Sequence, residues 1–127
     1  MNHDFTIEFR GTFLYVLHSP GYVINPESEE AFWMAIIKAC KVHKCDRVLR
    51  EGEGVVRKMA MVDNYQTAKL VSRITRGLRV AIFFKDYEPD ELSRFFQTAA
   101  ANRGVAIEYF NDRDSALRWL GVGRAVA

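Results

Sequence analysis

Cysteine is scarce in this chain: Cys40 and Cys45 are the only two in 127 residues. They lie too close together for a disulfide framework and do not form a CxxC motif, so both read as free thiols that fill space. Histidine is also thin, with His3, His18 and His43 scattered and no pair at ligand spacing, which argues against a metal centre. No run of 18 apolar residues occurs, so no bilayer-spanning helix is expected. Met1-Asn2-His3-Asp4 has neither the basic start nor the apolar stretch of a signal peptide, which points to the cytoplasm. An excess of one charge is missing too. Eighteen Lys and Arg face 16 Asp and Glu, and a net charge of +2 lacks the basic face that phosphate backbones demand, so nucleic acid is not an expected partner.

What remains is the composition of one globular domain. Hydrophobic residues make up 49% and charged residues 27%, within the usual range for a packed fold. Residues 1–127 read as a single domain, with 121–127 a loose tail. Phe5, Ile7 and Phe9 alternate with Thr6, Glu8 and Arg10, the period of a half-buried strand. After Gly11, residues Thr12 to His18 read as a second strand, apolar on both faces and hence set further into the sheet. The two form an antiparallel hairpin.

Asn25-Pro26 then supplies an N-cap and first helical position, with Glu27, Glu29 and Glu30 at the positive end of the helix dipole. Phe32, Ala35, Ile36, Ala39 and His43 keep helical spacing, so a helix from Pro26 to His43 is expected, with His43 turned inward. Asp46 to Arg50 is a short strand ended by Glu51-Gly52-Glu53-Gly54. A helix starts somewhere between Arg57 and Asp63, with Met61, Tyr65, Ala68 and Val71 on one side, and stops at Gly77. Arg79 to Phe84 is the continuous apolar run of a buried parallel strand. Glu88-Pro89-Asp90-Glu91 opens a helix carrying Leu92, Phe95, Phe96 and Ala99, with Gly104 placed as its C-terminal cap. Val105 to Phe110 is the last strand, and Asp112 caps a short helix with Ala116, Trp119 and Leu120 inward.

The order is β-β-α-β-α-β-α-β-α: an α/β fold with helices on a mostly parallel sheet opened by an antiparallel hairpin. Ligands in such sheets bind beyond the carboxyl ends of the strands. Three loops form that edge here: Arg50 to Lys58, Lys85 to Glu88, and Asn111 to Asp114. The first has Gly52-x-Gly54 but no phosphate-loop frame, and Glu53 between the glycines repels phosphate. Glu51 and Glu53 could serve as paired carboxylates, yet nothing sets a nucleophile beside them, and solvated loop charges are the simpler reading. Asp63, Asp86 and Asp112 fall near helix starts, where capping explains them. No GxSxG elbow exists, and neither Cys has a partner beyond His43. The residues lean away from an enzyme, and no catalytic residue, cofactor or metal is assigned.

The second half carries a resemblance. Arg79-Val80-Ala81-Ile82-Phe83, Phe95-Phe96, Ala101-Asn102-Arg103-Gly104-Val105 and the closing Phe110-Asn111-Asp112-Arg113-Asp114-Ser115-Ala116-Leu117-Arg118-Trp119-Leu120 resemble the STAS-like (SpoIIAA-like) family of small bacterial α/β domains, and the element order matches over nearly the whole length. The resemblance implies the fold and two functions. One is a regulatory protein–protein interaction module, pairing with a protein partner or with itself. Its usual phosphorylatable Ser has no counterpart, because Arg47 to Gln66 contains no Ser or Thr. The other is a Sec14-like carrier or sensor of a small apolar or anionic ligand, for which Phe83, Phe84, Tyr87, Met59, Met61 and Tyr65 are candidate lining residues. The candidate ligand-binding set is Arg50, Glu51, Glu53, Arg57, Lys58, Tyr65, Phe84, Lys85 and Tyr87.

Overall fold

A computed structural model describes residues 4–58, 60–74, 77–102 and 104–122. Its main sheet has five strands: β1 (Phe5–Phe9), β2 (Leu14–His18), β4 (Arg47–Glu53), β6 (Arg79–Lys85) and β7 (Ala106–Tyr109), in the order β1-β2-β4-β6-β7. The β1–β2 pair is antiparallel, and every other ladder is parallel. The mixed α/β architecture is therefore as the patterning implies. A second, two-stranded parallel sheet joins β3 (Val23–Ile24) to β5 (Val56–Arg57). It has no counterpart in the sequence reading, because two-residue strands leave no periodic trace. Bonds from Val56 N to Tyr22 O at 2.9 Å and from Lys58 N to Ile24 O at 2.7 Å hold it closed.

The described residues form four helices: α1 (Pro26–His43), α2 (Met61–Ile74), α3 (Glu91–Ala101) and α4 (Arg113–Leu120). α2 packs beside both α1 and α3. Leu14, Val16, Val48, Val80, Ile82, Phe84 and Ile107 of the sheet share one core with Phe32, Trp33 and Ile36 of α1 and with Phe96, Ala99 and Ala100 of α3. On the opposite face Leu49 and Ala81 pack against Ala116 and Leu120 of α4. Strand alternation sorts these residues: odd and even positions of β4 and β6 go to opposite layers.

α1 spans the residues its pattern predicts, and its start has a full capping box. Ser28 N donates to Asn25 Oδ1 at 2.8 Å, and Asn25 N donates back to Ser28 Oγ at 3.0 Å. Asp90 and Asp112 cap α3 and α4 by accepting from Ser93 N and Ser115 N.

Several expectations need correction. The strand placed at Asp46 to Arg50 runs on to Glu53, because Glu51, Gly52 and Glu53 pair with Phe83, Phe84 and Lys85. β2 begins at Leu14 rather than Thr12, and Leu17, expected inside a strand apolar on both faces, is 44% exposed. His43 is exposed and stacks on Phe9 with ring centroids 4.4 Å apart. Asp86 caps nothing; it takes a left-handed backbone, φ 61°, at the end of β6. Tyr65, expected on an inner face, is exposed. Of the expected loose tail, Gly121 is ordered as the left-handed C-cap of α4 and Val122 packs on the smaller core, while 123–127 lie outside the described residues. No helix among the described residues is long and apolar enough to cross a membrane.

Candidate functional site

Three elements send polar side chains into the larger core at the same level. On β2 the inward set Leu14, Val16 ends in His18; on β4 Val48 is followed by Arg50; on α1 Glu29 stands one turn before Phe32 and Trp33. All three are almost wholly enclosed, at 2%, 2% and 4% exposure. Such charges are tolerated inside only when paired.

Here they are. Arg50 Nη2 donates to Glu29 Oε2 at 2.6 Å and Nη1 donates to Oε1 at 3.2 Å, a bidentate fork. Arg50 Nε donates to His18 Nε2 at 2.8 Å. Trp33 Nε1 donates to Glu29 Oε1 at 3.3 Å. The guanidinium lies over the Phe32 ring at 3.8 Å, and the His18 ring stacks on Tyr22 at 3.9 Å.

His18 accepts from Arg50, so it is neutral and carries its proton on Nδ1. Burial, reinforced by the Arg50 charge, pushes its pKa down to about 2. His18 is thus no acid–base group at neutral pH.

Beside this cluster, towards the carboxyl edge of the sheet, lies a cavity of about 30 Å³. Glu29 and Arg50 line it, and Arg57, Thr67, Tyr87, Ser93 and Tyr109 form the polar remainder. The β3–β5 sheet carries Arg57 to this place. Arg57 Nη1 donates to Ser93 Oγ at 2.9 Å and to Tyr87 Oη at 3.1 Å, and Nη2 pairs with the Asp90 carboxylate. Tyr87 Oη and Ser93 Oγ are 2.7 Å apart. The Arg57 guanidinium holds the Asp90 carboxyl down at about 2. Burial opposes the charge on Arg57, but Asp90 more than offsets it and raises its pKa. Burial, with Tyr87 alongside, raises the Tyr109 phenol.

Of the sequence candidates, Arg50, Arg57, Phe84 and Tyr87 meet at this cavity. The others do not. Glu51 is not a loop carboxylate: it is buried on the α4 side of β4, accepting from Tyr15 Oη at 2.8 Å and from Arg113 Nε at 2.6 Å, and so pins the start of α4. The Glu51–Glu53 pairing fails because the two leave β4 in different surroundings, Glu53 being exposed and 3.9 Å from the equally exposed Lys85 Nζ. Lys58 is exposed, and Tyr65 stands outside the cavity with its ring 6.3 Å from Phe95. Phe83 belongs to the opposite layer, since Ile82 and Phe84 take the cavity side. Met59 lies outside the described residues, as does the side chain of Met61.

Sequence reasoning missed Glu29, His18, Ser93 and Tyr109. Glu29 had a signal: it falls on the apolar stripe of α1, three residues before Phe32, where a carboxylate is out of place unless partnered.

Among the described residues at the cavity, Arg57, Tyr87, Ser93 and Asp90 are paired with one another. Cys40, elsewhere in the core, is pushed up to about 12 by burial and stays a thiol. Among the described residues no group of three His, Cys, Asp or Glu could hold a metal ion. No protein-family model matches the chain, and no curated protein matches it.

Proposed function

We propose that the chain is a non-enzymatic, STAS-like binding module that docks a protein partner on the rim above the Arg57 cavity. One observation carries the reading: Val56, Val62 and Tyr65 are exposed at 43%, 61% and 38%, within ten residues of chain beside Arg57 and Lys58. Val62 and Tyr65 are neighbours on one helical face, and Val56 precedes Arg57 on β5. Apolar side chains kept in water next to basic ones suit a partner with a small apolar patch and an acidic border. The polar network beneath supplies rigidity, since Arg50 is tied to Glu29 and His18, and Arg57 to Asp90, Tyr87 and Ser93. The strand order, with its antiparallel first pair, is compatible with the STAS-like resemblance.

The carrier alternative is less favoured. Clefts for drug-sized ligands hold roughly 300 Å³ or more, whereas this cavity of about 30 Å³ has room on the scale of a single water.

The test is affinity capture with the wild-type chain and with a Val62→Asp/Tyr65→Ala variant whose circular dichroism is unchanged. A partner retained by the wild type, identified by mass and rebinding as purified protein, should lose at least tenfold in affinity with the variant. A partner that binds both equally would remove the rim from consideration.

A further inference from the structure

The outer face of α1 has a pattern that neither the core nor the rim uses. Glu27, Glu30, Ala31, Met34, Lys38, Lys41 and Val42 are all exposed, Met34 at 52% and Val42 at 68%. Met34, Ala35, Ile37, Lys38 and Lys41 line a shallow open groove. None of the ion pairs among the described residues involves Glu27, Glu30, Lys38 or Lys41.

The charges are arranged symmetrically about Met34. Glu30 lies four residues before it and Lys38 four after; Glu27 lies seven before and Lys41 seven after. Four- and seven-residue steps keep all of them on one stripe. At 1.5 Å per residue the inner pair stands about 6 Å, and the outer pair about 10.5 Å, on either side of Met34. A stripe that is acidic at one end, apolar in the middle and basic at the other is complementary to itself when reversed.

We propose that α1 is a homodimer contact: two copies pack antiparallel through this face, with the twofold axis beside Met34. Glu30 of each chain then stands level with Lys38 of the other, and Glu27 with Lys41, so the symmetry makes each pair twice. Met34 meets its own copy, flanked by Ala31 and Ile37. The charge order selects this occupant. An acidic peptide or an anionic membrane would suit Lys38 and Lys41 but would be repelled by Glu27 and Glu30. One helix stripe is small beside the ~1,600 Å² of a standard interface, so the dimer is weak and, resting on exposed ion pairs, sensitive to salt. This surface touches α2 only through Glu30, which shares a cleft with Asp63 and Gln66; Lys38 and Lys41 line a groove of α1 alone, so the fate of their variants leaves the partner reading untouched.

Sedimentation velocity over a range of protein concentrations tests it. The wild type should show a reversible monomer–dimer equilibrium that weakens in high salt. Lys38→Glu/Lys41→Glu replaces every cross-pair by repulsion, and so does Glu27→Lys/Glu30→Lys; each alone should weaken self-association by roughly tenfold or more. Mixed together, the two variants carry complementary stripes and should form a heterodimer at least as tight as the wild-type dimer. If either double variant loses helicity, Met34→Lys, which sets like charges on the axis, should abolish the dimer by itself. A wild type that stays monomeric at about millimolar concentration, or a dimer indifferent to these changes, overturns the proposal.

Discussion

Arg50 shows how much one residue can demand of its surroundings. Enclosing its charge and that of Glu29 forfeits hydration worth several kcal/mol per ion, for which the bidentate fork, the His18 nitrogen, the Trp33 N–H, the Tyr22 hydroxyl and the Phe32 ring compensate. Removing one partner is therefore worse than removing both. Glu29→Gln should cost about 3–5 kcal/mol in urea unfolding, because it leaves Arg50 buried without its counter-charge. Glu29→Leu combined with Arg50→Met should lie nearer the wild type than Glu29→Gln does. A double variant as unstable as the single one would mean that the cluster is a favourable network in its own right. These residues were partly legible. A carboxylate on the α1 stripe and a histidine and an arginine at inward strand positions each break an apolar pattern, but sequence order does not say that the three breaks meet.

At the scale of elements, legibility followed local chemistry. α1 could be placed because its cap, its first-turn proline and its apolar spacing all agree, and Asn25→Ala should lower stability by about 1 kcal/mol through loss of the Ser28 N–H acceptor. Thermal unfolding of that variant, alongside a surface control such as Arg94→Ala at an exposed position of α3, checks the value. β4 was cut short for the converse reason: Glu51-Gly52-Glu53 has loop composition, and only pairing with Phe83 to Lys85 makes it a strand. Gly52 is there because a Cβ would come within 2.7 Å of Val55 Cγ2 and 3.3 Å of Phe84 Cδ1. The β3–β5 sheet was invisible because a tertiary meeting, with no repeat in the sequence, creates it. Since that sheet delivers Arg57 to Tyr87 and Ser93, the cavity's composition was equally out of reach.

For the whole molecule, the buried histidine sets the response to acid. Unfolded, His18 titrates near 6.5; folded, it stays neutral down to about 2. Between those values the unfolded chain binds a proton that the folded chain refuses, so stability falls as pH falls, by about 1.4 kcal/mol per unit from this group alone. Asp90, held at about 2 by Arg57, acts in the same direction only below its ordinary value of 3.8. The span from pH 6.5 to 4.5 thus belongs chiefly to His18, whose enclosing groups are Arg50 and the rings of Phe5, Tyr22, Phe32 and Phe84. Urea midpoints measured across that span should drop steadily for the wild type and stay flatter for His18→Leu. Parallel slopes would assign the acid sensitivity elsewhere.

The fork on Arg50 also governs how the molecule can come apart. It ties β4 to α1 through Glu29 and to β2 through His18, so none of the three can open by itself without stranding a charge away from both water and partner. Piecemeal fraying is suppressed at the centre of the fold and left to its periphery. The start of α1, the end of β2 and the middle of β4 behave as one cooperative unit, in which amide hydrogens exchange together or not at all.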